Sequence, residues 1–451
     1  MSSATVPQRE FVVALTRAGR VLTAIDGDRH LLPRLGGSER WPGVAALQRC
    51  CGDPAAVVIS PVHQIPTEPM RSLYVLAGGR DDPGTGAAWL RPDDPSLAEP
   101  AELLETLRQT MAESSGSIDP PPDRPDWFRH DWLNEADCWI DLQLQRLGRR
   151  RSGPSQVIKI WSLSAVIRTP TEGGAEGIEA AVYFKATCDW FRAEPRITGA
   201  LARFAAEHLP PVLEVHPDRP WMLMDPLPGV DTVNALGGAE PAVEALAQLQ
   251  LASLDHRAEL EAAGCPDRSR LPTIEGLHRI VHHSIEADQL TPEELAAAAA
   301  AEPWLAGQVS ELYDCGLPTT IAHGDLHLGN VAFDNGKVVL YDWTDACFSH
   351  PFLDAAHLVR DLDPVLTEAV LARFAAIWRR ARPAADIDRA LELAPLVNRV
   401  FQAISYEGIY RAQEEAARWE LGGIVASSLR QFGALYDRLG GSASSASPPR
   451  S

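Results

Sequence analysis

Ile321-Ala322-His323-Gly324-Asp325-Leu326-His327-Leu328-Gly329-Asn330, followed after a short turn by the apolar run Val338 to Tyr341 and then Asp342-Trp343, is the stretch whose reading decides the fold. It places two aspartates and an asparagine around a loop and at the end of a strand. Phosphoryl transfer asks for a carboxylate that orients an acceptor hydroxyl and takes its proton. It also asks for polar oxygens that hold magnesium against nucleotide phosphates. Asp325 is the candidate base, Asn330 a candidate magnesium ligand, and Asp342 the candidate bridging carboxylate. Asp and Asn are also common at turns and strand ends. Their joint occurrence with the His-Gly lead-in favours chemistry over that plainer reading.

The segment resembles the HGDxHxxN and following DW signature of aminoglycoside phosphotransferases, choline kinases and homoserine kinases. The resemblance implies a protein-kinase-like bilobal α+β fold, with a small β-rich N-lobe and a large helical C-lobe. It also implies ATP and Mg2+ as cofactors and a small-molecule hydroxyl acceptor. His323 and His327 are expected to act structurally, bonding loop backbone and carboxylates. Ser349-His350-Pro351-Phe352-Leu353-Asp354 is similar to the family's Gly-x-Pro-x-x-Asp segment, with Ser349 where glycine is usual. Asp354 is expected to support the site, as the cap of a helix beginning near Ala355.

Upstream, Gln156 to Ile160 and Ala165 to Thr169 flank the bend Trp161-Ser162-Leu163-Ser164. Such a turn could lie over a triphosphate, with Ser162 and Ser164 as phosphate donors in place of glycines, or be an ordinary hairpin turn. The third run, Glu179 to Lys185, ends on one of only three lysines in the chain, Lys159, Lys185 and Lys337. Lys185 falls where the third strand of the lobe would carry the phosphate-pairing ammonium. Its expected partner is Glu194, with Glu207 the other candidate. Trp221 to Gly229 reads as a strand passing into the adenine-binding hinge, with Met224 at its edge.

The bulk numbers are those of a multi-domain globular protein: 451 residues, 45% hydrophobic and 23% charged. Lys plus Arg is 41 against 61 Asp plus Glu, a formal charge of −20 that repels nucleic acid and anionic membranes on average. With no signal-like start and no long apolar run, the expected location is the cytoplasm. The seven cysteines show no metal-type spacing and are expected to be reduced thiols.

Residues 1–112 read as an accessory α/β domain: a hairpin from Phe11 to Ile25, strands at Ala56 to Ile59 and Ser72 to Leu76, and a helix from Ala101 to Met111. This domain faintly resembles a Nudix domain, but the family's glycine-and-glutamate box is not present. Proline-rich residues 113–126 read as a linker, 127–228 as the N-lobe, 229–439 as the helical C-lobe with the catalytic loop, and 440–451 as a disordered tail. Phe401 to Glu420 carries Tyr406, Glu407, Tyr410, Glu414, Glu415 and Trp419, which read as a solvated helix face rather than a pocket lining. The expected activity is ATP-dependent phosphorylation of a hydroxyl on an aminoglycoside, amino alcohol, nucleoside or related metabolite. The other reading is a nucleotide-binding pseudokinase or regulatory module acting through the N-terminal domain.

Overall fold

The structure is a computed structural model that describes residues 9–37, 42–67, 70–129, 131–173, 180–227, 238–334 and 337–440. Glu179, the Pro228-Gly229 end of the hinge run and residues 441–451 of the expected tail lie outside the described residues. The chain divides into two compact units, Met1–Asp189 with Gln413–Glu420, and Trp190–Ala412 with Leu421–Ser451.

The first unit opens with the expected hairpin, β1 (Arg9–Arg17) and β2 (Arg20–Asp26). Ala18 and Gly19 between them both take positive φ, 47° and 74°, as a tight hairpin turn requires. There follow β3 (Arg29–Leu31), β4 (Arg34–Gly37), α1 (Val44–Cys51), β5 (Val57–Val58), β6 (His63–Ile65), β7 (Arg71–Ala77), β8 (Ala87–Leu90) and α2 (Ala101–Ser114). β1 pairs parallel with β7 and antiparallel with β2 and β4. Phe11 to Leu15 are all buried, the mark of a central strand covered on both faces. Val12, Ala14, Leu73 and Val75 pack with Leu103 and Leu107 of α2.

α3 (Trp132–Arg146) then precedes an antiparallel meander of β9 (Gln156–Ile160), β10 (Ser164–Pro170) and β11 (Ala181–Thr187). Trp132 and Trp139 of α3 meet the Phe184 ring edge-on at 5.9 and 5.7 Å, fixing the helix against β11. Within the stretch expected to be a linker, Arg124 is buried, bonded to Glu113 at 2.8 Å and to Glu414 at 2.6 and 2.8 Å.

The second unit is mostly helical. α4 (Glu194–Ala205) leads into the hairpin β12 (Val212–Val215) and β13 (Trp221–Met224), then α5 (Ala239–Ser253), α6 (Arg257–Ala262), α7 (Arg270–His283) and α8 (Pro292–Asp314). Short strands β14 (Thr320–Ala322), β15 (Val331–Asp334), β16 (Lys337–Leu340) and β17 (Cys347–Ser349) frame the quoted stretch. α9 (Phe352–Leu358), α10 (Pro364–Ala381), α11 (Ile387–Ala412) and α12 (Ile424–Leu435) complete the unit.

α8 starts with a capping box: Thr291 accepts from the Glu294 N–H while the Glu294 side chain accepts from the Thr291 N–H. Within its run of alanines at 296–301, Ala298 and Ala301 are buried against α7 and α12, where small side chains let the helices approach. The main core gathers Ile321, Trp343, Phe352, Phe374, Trp378 and Phe401 around the quoted stretch. The fold class is the expected α+β: a meander, helix α4, a hairpin, helices and the loop follow one another along the chain. Among the described residues, no helix is long and apolar enough to cross a membrane.

Candidate active site

β14 delivers the loop and the hairpin of β15 and β16 closes it. Val331 pairs with Leu340, so Asn330 and Tyr341-Asp342 fall at the same end of the hairpin, joined by the Tyr341 N–H to Asn330 carbonyl bond of 3.0 Å. The Asn330 amide donates to the Asp325 carbonyl at 2.9 Å, which leaves its side-chain oxygen as the group for a cation. Asp342 itself takes left-handed backbone, φ 67°, a conformation that Asp tolerates better than most residues. Trp343 beside it is fully buried and donates its indole N–H to the Leu340 carbonyl at 2.8 Å.

Gly324 is the tightest point of the loop. Its φ is +84°, and a Cβ there would sit 2.3 Å from the Asp345 carbonyl oxygen. Only glycine fits. The N–H groups of His323 and Gly324 donate to the two oxygens of Asp354, at 2.8 and 2.9 Å. The supporting role expected for Asp354 is present, but not as a helix cap. α9 starts at Phe352, so Asp354 lies in its first turn and reaches across to the loop backbone. Burial raises the Asp354 carboxyl to about 6 even though these bonds favour its charged form. Ser349, at the position usual for glycine, is buried and ties its hydroxyl to the Arg268 carbonyl at 3.0 Å.

The two loop histidines hold structure. His323 is buried, lies 3.0 Å from the Tyr341 carbonyl through Nε2, and is held neutral by burial, its pKa lowered to about 4. His327 accepts from the Gly329 N–H at 3.0 Å and stands 3.8 Å from Asp325 Oδ2.

Asp325 is about one-third accessible. Its Oδ1 meets His357 Nε2 at 3.0 Å. The Asn398 amide lies 3.1 Å from His357 Nδ1, so the imidazole is held from its far side while Nε2 faces Asp325. Arg360 Nη1, 2.9 Å from Nε2, adds positive charge at the same place. Burial pushes the Asp325 carboxyl up, but the His357 bond and the nearby histidines outweigh it and hold the group below its ordinary value, ionised at neutral pH. Gln402 of α11 donates to the Gly324 carbonyl at 2.6 Å. His357, Asn398, Arg360 and Gln402 were not foreseen from the sequence. His357 on the wholly buried α9 and Asn398 and Gln402 on α11 follow the same spacing as packing residues, Arg360 lies in the turn after α9, and no local motif marks them.

A cavity of about 760 Å³ opens beside the loop within the second unit. Thr344 and Asp345 form one wall, Arg268 and Thr273 another, and Ser405, Gly408 and Arg411 of α11 a third. The Trp190 ring lies against Gly408, where a Cβ would come within 2.3 Å of it. Burial pushes the Asp345 carboxyl up to about 7 against the pull of Arg268. The solvated face expected for Phe401 to Glu420 is corrected. α11 ends at Ala412, and Glu407, Glu414 and Glu420 are all buried because each accepts hydrogen bonds.

The remaining expected residues lie as follows. Lys185 is buried on β11, opposite Val166, in the first unit. Glu194 opens α4 and Met224 ends β13, both buried in the second unit. Ser162 and Ser164 sit in the β9–β10 turn with their hydroxyls already engaged. Ser162 bonds Glu420 and accepts from Gln413 at 2.6 Å, and Ser164 accepts from the Trp161 indole at 2.8 Å.

Residues 180–392 match the family model APH, described as Phosphotransferase enzyme family. Three solved structures are similar over about two thirds of the chain. They are a choline/ethanolamine kinase family protein from Mesorhizobium loti (14% identity, 69% of this chain and 96% of that one, TM-score 0.44); macrolide 2'-phosphotransferase MphH from Brachybacterium faecium (15%, 64% and 98%, 0.44); and the GDP and kanamycin complex of APH(2")-IIia (14%, 67% and 99%, 0.45). No curated protein matches the chain. The family match takes in Lys185, Glu194, the loop and Asp342.

Proposed function

We propose that the chain transfers the γ-phosphoryl group of ATP to a hydroxyl of a small molecule, an aminoglycoside, amino alcohol, nucleoside or related metabolite. The observation that carries this reading is the state of Asp325: ionised, one-third accessible, and held on Oδ1 by His357, which Asn398 steadies from its other nitrogen, with His327 3.8 Å from Oδ2. A carboxylate so oriented can position the acceptor hydroxyl and take its proton at Oδ2. His357 is then a positioning residue, which keeps one oxygen occupied and aims the other.

Asn330 and Asp342 offer hard oxygen donors, the chemistry that suits Mg2+. The Asn330 amide nitrogen faces Asp325, so its oxygen is the end left for a cation, and the residues fit the ion on that ground. When bound, Mg2+ would neutralise charge on the nucleotide phosphates. Nucleotide binding is assigned to Lys185, Ser162, Ser164, Glu194 and Met224, as read from the sequence. Ser162 donates its proton to Glu420, whereas Ser164 accepts from the Trp161 indole and can still donate, so a phosphate contact from that turn falls to Ser164 or to backbone N–H.

The acceptor is assigned to the cavity beside Thr344 and Asp345, whose wall carries Arg268 and Arg411 as well as Asp345 and the half-exposed Trp190. Such a lining suits a polar acceptor with one flat or apolar face. The test is Mg2+-dependent consumption of ATP, and in parallel of GTP, over amino sugars, amino alcohols and nucleosides, with products weighed by mass spectrometry. Wild type should add one phosphoryl group to at least one acceptor, and Asp325→Asn should add none. Equal turnover in both would refute the assignment.

One observation favours the pseudokinase reading: the turn expected to cover phosphates has no glycine, and its Ser162 hydroxyl is committed to Glu420. Thermal stabilisation by ATP with no turnover on any acceptor would decide for it.

A further inference from the structure

We propose that α7 and α8 carry a binding site for a divalent transition-metal ion, best suited to Zn2+, formed by His278, His282 and Glu302. His278 and His282 lie four residues apart on α7, one above the other on the same face. Their rings are 4.6 Å apart. Glu302 of α8 stands between them, with Oε1 2.8 Å from His278 Nδ1 and Oε2 2.7 Å from His282 Nε2. One ligand atom from each residue falls within 4.8 Å of the others, a spread that small side-chain rotations close around one ion.

Three features separate this trio from a chance surface contact. The scaffold is rigid, because Leu277, Ile280 and Val281 of α7 pack into one core with Ala298, Ala301 and Leu305 of α8. The ligands ride on the rim of that packed interface and need no loop to order. With the Glu302 carboxylate, the donor set is two nitrogens and one oxygen with net charge −1. That set selects zinc-like ions over Mg2+ and Ca2+, which take oxygen donors. Both histidines are well exposed, which leaves a fourth position for water or an added ligand. The site is separate from Asn330 and Asp342 in chemistry and in residues, and does not depend on the kinase reading.

The experiment uses the full chain without an affinity tag, stripped with chelator and dialysed into buffer containing Mg2+. Zn2+ is titrated calorimetrically, and Co2+ is followed by visible absorption. The expected result is saturable one-to-one Zn2+ binding at micromolar concentration, not displaced by Mg2+, with a Co2+ spectrum of low coordination number. His278→Ala, His282→Ala and Glu302→Gln should each weaken Zn2+ at least about tenfold. Because these side chains are at the surface, each variant should keep wild-type circular dichroism. Cys138→Ser, which removes the exposed thiol, should bind as wild type. Binding unchanged in the His278→Ala, His282→Ala double variant, binding abolished by Cys138→Ser, or no saturable binding by wild type would overturn the site. The last result would leave the trio as a hydrogen-bonded staple only.

Discussion

At the scale of single residues, the account rests on contacts that leave little freedom. Gly324→Ala would drive a Cβ into the Asp345 carbonyl and force left-handed backbone on alanine. It should cost about 1–3 kcal/mol in chemical denaturation and abolish turnover, because the loop carrying Asp325 must shift. His357→Ala should lower kcat up to about 100-fold while nucleotide affinity stays at wild type, since it touches Asp325 and none of the residues assigned to nucleotide. A purely structural role would show instead as a lower melting temperature with kcat kept. Asp342→Ala should remove Mg2+-dependent nucleotide binding, whereas Asp325→Ala should leave it, a contrast measurable by calorimetry with and without Mg2+. The loop was legible in the sequence because the residues from Asp325 to Asp342 are close in the chain and of types that chemistry requires. His357 and Asn398 were not. They come from α9 and α11, where a polar residue on an apolar helix reads as a satisfied core position until its partner is seen.

At the scale of elements, short-range signals were readable and long-range pairing was not. The Thr291 to Glu294 signature, the β1–β2 turn and helix α2 follow from local residue order. Thr291→Ala should accordingly cost about 1 kcal/mol by thermal denaturation, the ordinary worth of an N-cap. The parallel pairing of β1 with β7 joins residues some sixty positions apart, and no periodicity specifies it. The end of α11 was misread for a similar reason. Helical spacing continues through Glu414, but the chain leaves the helix at Ala412, and Glu414 and Glu420 beyond it are buried by partners distant in sequence. Gly408 is the element-scale test of the acceptor cavity. Gly408→Ala should displace the Trp190 ring and raise the acceptor KM with little change in nucleotide affinity, measured by steady-state kinetics and calorimetry.

At the scale of the whole molecule, buried charge and buried imidazole set the stability. Arg124 is held between Glu113 and Glu414, all three inaccessible. Arg124→Ala would leave two carboxylates facing each other out of water and should destabilise the first unit by about 3–5 kcal/mol. His63 and His323, with pKa values near 4, and His350, near 3, are kept neutral mainly by burial. Unfolding lets each take up a proton near 6.5, so their contribution is complete above that pH and is lost as pH falls toward 4. Melting temperature should therefore drop from pH 6.5 downward, each histidine adding up to about 1.4 kcal/mol per pH unit. Composition foretold none of this, since burial is a property of the folded chain. The central claim is that Asp325 serves as the base for phosphoryl transfer, and mass spectrometry of acceptor panels incubated with Mg2+ and ATP tests it most directly. The account predicts a gain of one phosphoryl group with wild type and none with Asp325→Asn, although both bind ATP. A phosphorylated product at the same rate from the variant would contradict it.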